Sequence, residues 1–312
     1  MTTLDKGVVD ESHPQYLGLY VGQRSAPASA GKAVLSADLV LCLGEHIEED
    51  FNTGDWSASI DPDRMIVVGP DYVRIGDSVM TACLLPDVLA GLARAVKPVP
   101  ERRISAPRPL PVTGDADDPV SSATLYPRLQ QFLRSGDILI GEGGTAAGRC
   151  APLLLPKGVG FESQILWGSI GWATPCTLGV AMAEPKARVV TVTGDGAHQL
   201  TANEIGVMGR YGVRPIIIVL NNGIYGAEDT ASERGHVYND LAPWNYHRIP
   251  AAMGCEDWFS TRITTVGELD AALRKARSHR SGSYLEVMIP DIESQPLPAA
   301  VLDHLYKQNT PG

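Results

Sequence analysis

No stretch of the 312 residues approaches the ~18 uninterrupted apolar positions that a membrane-spanning helix needs. The opening residues, Met1-Thr2-Thr3-Leu4-Asp5-Lys6, lack the apolar core of a signal peptide, so a cytoplasmic location is the expectation. Basic side chains are outnumbered, 26 Lys and Arg against 36 Asp and Glu, for a net charge of −10. That balance argues against nucleic acid or anionic membranes as the main partner, since both select a basic face. Cysteine is sparse and unpaired. Cys42, Cys83, Cys150, Cys176 and Cys255 include no C-x-x-C spacing, and buried free thiols in a reducing compartment are expected. Internal repeats are also missing.

What is present is ordinary globular composition, 44% hydrophobic and 20% charged, in a chain long enough for two domains. Glycine is plentiful at 32 residues, as suits tight βα turns where backbone approaches a ligand. Residues 97–120 carry Pro98, Pro100, Pro107, Pro109, Pro111 and Pro119 and read as an extended linker. Before it, in residues 1–96, Ala37–Gly44 and Arg64–Pro70 read as buried strands, and Ser25–Val34 and Pro86–Val96 as helices. Nothing ahead of Tyr20 resembles an opening strand and helix, so this first domain looks incomplete. After it, in residues 121–312, Thr124 is expected to cap a helix through Leu133, with Pro127 in its first turn. Strands are expected at Asp137–Gly141, Arg188–Thr193, Pro215–Leu220 and Ser283–Ile289, with helices at Thr201–Arg210 and Val266–Ala276. Continuous apolar strands alternating with helices predict an α/β fold of two doubly wound parallel-sheet domains, with ligands at the carboxyl ends of the strands.

The segment richest in chemistry runs from a strand ending in Gly194-Asp195-Gly196-Ala197 to one ending in Asn221-Asn222. A βαβ crossover brings two such strand ends side by side. A carboxylate and a carboxamide are hard oxygen ligands, and diphosphate oxygens with water would complete the octahedron that Mg²⁺ demands. The glycines open the backbone to the diphosphate, and a helix N-terminus favours its charge. Either motif alone is usually a turn; the pair at this spacing favours the metal–diphosphate reading.

These motifs resemble the diphosphate-binding signature of thiamine diphosphate enzymes. Leu166-Trp167-Gly168-Ser169-Ile170-Gly171-Trp172, Gln199-Leu200-Thr201, Glu204-Ile205 and Tyr238-Asn239-Asp240 are similar to the pyruvate and indolepyruvate decarboxylase branch. Lys6 to Pro14 and Leu41-Cys42-Leu43-Gly44 resemble its central domain. The resemblance implies that Asp195, Asn222 and the Ile224 carbonyl hold Mg²⁺. It implies that Thr145, in Gly143-Gly144-Thr145, contacts the diphosphate. Gly168 would accept from the aminopyrimidine through its carbonyl, and Ile170 would wedge thiamine into its bent form. Glu228 would be the acid beside the reacting carbon, protonating the enamine left after a 2-oxo acid loses CO₂.

The chain departs from that pattern in two ways. The family's pyrimidine-binding domain has no counterpart here, so a separate subunit is expected to supply it in a hetero-oligomer. Ala227 and Ala231 flank Glu228 where pyruvate-specific members carry larger aliphatic residues, which points to a bulkier aryl or branched 2-oxo acid. A carboligase subunit using the same enamine is an alternative, as is a catalytically silent homologue or a fragment of a longer enzyme. Ala197 replaces a common hydroxyl residue, which bears on the silent reading. His198 reads as supporting or surface, His236 and His247 as solvated or capping, Trp56 and Trp244 as packing, and Arg102, Arg103 and Arg108 as solvated charge.

Overall fold

The computed structural model describes residues 1–2, 6–22, 25–44, 60–97, 106–164, 168–226 and 237–289. The chain divides into two compact units. Leu17–Pro107 form the first, together with Met1, and Thr2–Tyr16 with Arg108–Gly312 form the second. The break falls at Pro107, inside the proline-rich stretch, and by its contacts the segment Thr2–Tyr16 packs with the second unit.

Buried charge explains why that segment packs there. Lys6 and Glu11 form a 2.8 Å ion pair with both side chains almost fully buried. Lys6 Nζ also donates to the Leu153 carbonyl at 2.7 Å, and Glu11 Oε2 accepts from the Leu155 amide at 2.9 Å. Burial pulls the Lys6 pKa down, and Glu11 opposes that shift. Gly7 has φ +82, and a Cβ there would lie 2.9 Å from the Phe161 amide, so the segment runs against backbone that only glycine admits.

The first unit comprises helix α1 (Ala28–Leu35), strands β1 (Val40–Leu43), β2 (Met65–Val68), β3 (Tyr72–Ile75) and β4 (Ser78–Thr81), and helix α2 (Leu85–Ala95). The sheet order is β1-β2-β3-β4. Only β1 and β2 are parallel; β3 and β4 continue the sheet antiparallel. The core is small, built from Tyr20, Val34, Cys42, Ile60, Met65 and Val67. β1 was expected to be buried, yet Leu39, Leu41 and Leu43 are 41–56% exposed. Helix α2 has no buried residue despite its amphipathic sequence.

The second unit positions the site. Its elements are α3 (Ser122–Phe132), β5 (Asp137–Gly141), α4 (Thr145–Cys150), β6 (Gly160–Ser163), α5 (Ala173–Ala183), β7 (Arg188–Gly194), α6 (Asp195–Thr201), α7 (Glu204–Tyr211), β8 (Ile216–Asn221), α8 (Ile249–Ala252), β9 (Phe259–Ile263), α9 (Val266–Ser278) and β10 (Ser283–Met288). The strands form a six-stranded sheet in the order β6-β5-β7-β8-β10-β9, parallel throughout. Val190, Val192, Ile217, Ile218 and Val219 are fully buried, as β-branched residues covered on both faces should be. From β5 the chain steps outward to β6, then returns to lay β7 on the other side of β5. That reversal opens a crevice at the carboxyl ends of β5 and β7.

Helix α3 begins at Ser122, three residues before the start expected from a Thr124 cap. Ser121 is the cap and Thr124 lies inside, accepting from the Ser121 amide at 2.9 Å. Pro127 therefore sits in the second turn rather than the first. The part of the proline-rich stretch beyond Pro107 is extended but not free. Arg128 donates to the Thr113 carbonyl at 2.6 Å, and the Val266 amide donates to the Asp118 carbonyl at 2.9 Å. Among the described residues, no helix is long and apolar enough to cross a membrane. None of the five cysteines forms a disulfide; Cys42, Cys150 and Cys255 are buried, whereas Cys83 and Cys176 are partly exposed.

Candidate functional site

Three loops meet at the carboxyl edge of the second sheet. The first follows β5. Glu142 continues the strand, donating its amide to the Val192 carbonyl at 2.9 Å. Gly143 and Gly144 then turn the chain into α4, whose first residue, Thr145, is exposed. Gly144 has φ +85, and a Cβ there would meet nothing within 4 Å, so the loop faces open space. A Cβ on Gly143 would lie 3.4 Å from the Ser169 carbonyl, which places the second loop, Gly168 to Trp172, beside the first. In that second loop Gly168 and Gly171 have φ +59 and +80, and Ile170 stands 40% exposed between them.

The third lies where the carboxyl ends of β7 and β8 come together. Gly194 pairs with Leu220, so Asp195 and Asn221-Asn222 emerge side by side, as the βαβ reading predicted. Asp195 is 2% exposed. Its Oδ1 accepts from the Gly196 amide at 3.0 Å and its Oδ2 from the Gly223 amide at 2.7 Å. Burial pushes its pKa up to about 6 against those hydrogen bonds, and a bound cation would pull it back. Asn222 Oδ1 accepts from the Ile224 amide at 3.2 Å, and Ile224 bridges to Asp240. Gly196 lies under the Tyr225 ring, where a Cβ would come within 2.5 Å of Cε1, and Ala197 is buried.

The two asparagines have different jobs. Asn221 Nδ2 donates to Glu286 Oε1 at 2.8 Å, across the β8–β10 pair. Glu286, 1% exposed, also accepts from the His247 amide at 3.1 Å and pairs with His247 Nδ1 at 2.5 Å. His247, expected to be solvated or capping, thus shares a hydrogen bond with a buried carboxylate. His198 is fully buried, not at the surface. It lies 2.9 Å from Thr174 Oγ1 and 2.7 Å from Tyr284 Oη, and burial lowers its pKa to about 4. Trp244 packs on Tyr246 at 6.0 Å, as expected of a packing residue, and Arg108 is exposed. Glu228, Ala227 and Ala231 lie outside the described residues, as do Leu166, Trp167, His236, Trp56, Arg102 and Arg103.

Over residues 1–94 the sequence matches the family described as thiamine pyrophosphate enzyme, central domain, and over residues 147–287 thiamine pyrophosphate enzyme, C-terminal TPP binding domain. The chain belongs to the thiamine pyrophosphate enzymes. Relatives include an alpha-keto-acid decarboxylase of Mycolicibacterium paratuberculosis, 34% identical over 92% of this chain and 52% of its own length. Pyruvate decarboxylase isozyme 1 of Saccharomyces cerevisiae is 35% identical over 93% of this chain and 53% of its own. The chain therefore spans about half the length of the curated relatives it matches.

For a thiamine pyrophosphate enzyme, the donor set at this edge fits the cofactor's diphosphate and its cation. No cluster of three or more His, Cys, Asp or Glu exists among the described residues, so a cation would find one carboxylate, one carboxamide and backbone carbonyls. That set leaves coordination positions for phosphate oxygens and water, which is how Mg²⁺ is commonly held. Sequence reasoning missed two buried acids that support this edge, Glu142 and Glu286. Glu142 left a signal, a charged residue between an apolar strand and a Gly-Gly turn.

Proposed function

We propose that this protein is the diphosphate-binding component of a thiamine diphosphate-dependent 2-oxo acid decarboxylase, with Mg²⁺ as the bridging cation. The observation that carries the reading is the pairing of β7 with β8, which sets the buried Asp195 beside Asn222 at the open edge of a parallel sheet. Asp195 and Asn222, with the Ile224 carbonyl, would hold the cation. The Gly143-Gly144 backbone and Thr145 would face the diphosphate, Gly168 would accept from the aminopyrimidine, and Ile170 would support the bend between the two rings. When bound, the cofactor supplies the electron sink for decarboxylation; the protein supplies orientation and proton handling. Glu228 is the proposed general acid, delivering the proton that replaces CO₂ on the substrate carbon.

Two finer elements belong to this proposal. Ala227 and Ala231 leave room for an aryl or branched substrate. A separate subunit bearing a pyrimidine-binding domain completes the enzyme. Leu41 and Leu43 are exposed on β1, an edge strand among the described residues, and an edge of this kind is suited to pairing with a second component.

Calorimetry of thiamine diphosphate binding with Mg²⁺ tests the core of the reading. The wild-type chain should bind only when the cation is present, and Asp195→Ala should abolish that binding. Binding that Asp195→Ala leaves intact would show the cation site to be misplaced. CO₂ release from a panel of 2-oxo acids then tests the rest. Turnover is expected only with the second component, and phenylpyruvate should exceed pyruvate.

A further inference from the structure

Glu142 occupies the point where the strand order reverses, one residue past β5 and against β7. It is 1% exposed. Its backbone is fixed on both sides, by the Val192 carbonyl at 2.9 Å and by the Ala147 amide, which donates to the Glu142 carbonyl at 2.8 Å. Its carboxylate takes four hydrogen bonds, from the turn after β5, from the start of α5 and from β7. Oε1 accepts from the amides of Gly143, 3.1 Å, and Trp172, 3.3 Å. Oε2 accepts from the Ala173 amide, 3.1 Å, and from Thr193 Oγ1, 3.2 Å. Among the described residues no lysine, arginine or histidine forms an ion pair with it.

A buried carboxylate without a cation is expensive, and burial raises the Glu142 pKa above the ordinary glutamate value. If this position only filled space, an apolar residue would hold the fold at lower cost. What the carboxylate provides is an acceptor that ties the Trp172 and Ala173 amides to the β5–β7 edge, where Gly143 and Thr193 already lie. Gly143 belongs to the loop assigned to the diphosphate. Trp172 and Ala173 end the loop that carries Gly168 and Ile170. Thr193 lies two residues before Asp195. Backbone amides cannot move away from the acceptor that they share without losing charge-assisted bonds.

We infer that Glu142 is a positioning residue that sets the Gly168–Ile170 turn at its working distance from the diphosphate loop, so that one cofactor can engage both. The inference rests on the cofactor reading above and adds to it a side chain that touches no ligand. Substitution by glutamine turns one of the two acceptor oxygens into a donor. Thr193 can reverse its hydroxyl to accept from that new amide, but the Ala173 amide cannot, so the anchor of the Gly168–Ile170 turn is the bond that is lost.

The test compares two ligands that differ in which loops they reach. Thiamine diphosphate with Mg²⁺ needs both loops; inorganic pyrophosphate with Mg²⁺ needs only the diphosphate loop and the cation ligands. Calorimetric titration of Glu142→Gln should show thiamine diphosphate weakened by about tenfold or more, the loss of one hydrogen bond to a charged group, and pyrophosphate by about threefold or less. Hydrogen exchange at the Trp172 and Ala173 amides should quicken in the same variant. Equal weakening of both ligands would show that Glu142 only supports the fold and would overturn the inference, as would no weakening of either. A wild-type chain that binds neither ligand would instead overturn the cofactor reading itself. If Glu142→Gln does not fold, Thr193→Val removes only the hydroxyl donor. It should give the same asymmetry at smaller size, and its absence counts against the inference equally.

Discussion

His198 shows how a residue beside the site serves the fold. Its imidazole is satisfied on both nitrogens by Thr174 and Tyr284 and is fully buried. The unfolded imidazole takes a proton near pH 6.5, while the folded one does so only at about 4. The unfolded state therefore binds more protons in between, and stability is full above pH 6.5 and drains away as the pH falls toward 4. At ~1.4 kcal/mol per unit, the loss is of order 3 kcal/mol at most. Asp195 has the opposite slope, because its folded pKa is raised, and cofactor-free protein loses stability there as the pH climbs from about 4 to about 6. The clean measurement compares variants. His198→Asn should flatten the fall in melting temperature between pH 6.5 and 5 relative to wild type, whatever its effect at pH 8. The acids that sequence reasoning missed share a cause with this residue. Glu142, Glu286 and His198 are single polar letters whose meaning depends on partners 24 to 86 positions away.

Among the elements, the central strands were legible and the flanking ones were not. β5, β7, β8 and β10 are apolar runs because the interior of the sheet is covered on both faces, and their observed bounds differ from expectation by at most a residue at each end. β6 and β9 lie at the two edges, where Gly160-Phe161-Glu162-Ser163 and Phe259-Ser260-Thr261-Arg262-Ile263 need only half an apolar face. Helix α5 was missed for a different reason, since Ala173–Ala183 is apolar on every side and has no 3.6-residue stripe to read. At the far end of the sheet from the site, Arg188 clamps β7 to β5. Its Nε and Nη2 reach the two oxygens of Asp137 at 2.8 and 2.5 Å, and its guanidinium lies 4.4 Å from the centre of the Phe132 ring. Asp137 is 1% exposed. Arg188→Ala should therefore cost about 3–5 kcal/mol by leaving that carboxylate unpaired. Denaturant unfolding should show the loss, with cofactor affinity unchanged in the remaining folded protein.

For the molecule as a whole, the unequal quality of the two cores matters most. Among the described residues, the second unit has a large core continuous across its sheet, whereas that of the first is a handful of side chains, with Leu39, Leu41, Leu43, Val79 and Met80 exposed. Such a surface on a sheet edge favours self-association. Light scattering of the isolated protein should show concentration-dependent assembly, and replacing Leu41 and Leu43 together by lysine should reduce it.

The placement of Thr2–Tyr16 with the second unit makes the chain's layout discontinuous: the first unit is, in effect, an insert whose two ends are both tethered to the same body. A cut between Val96 and Arg108 would then not release two independent halves. The N-terminal piece keeps Lys6 and Glu11 locked into the backbone of Leu153 and Leu155, so the nicked protein should elute as one species until it is denatured. Expression of the second unit from Arg108 onward alone would strip away that buried pair, and any dissection of this protein has to carry its first sixteen residues along.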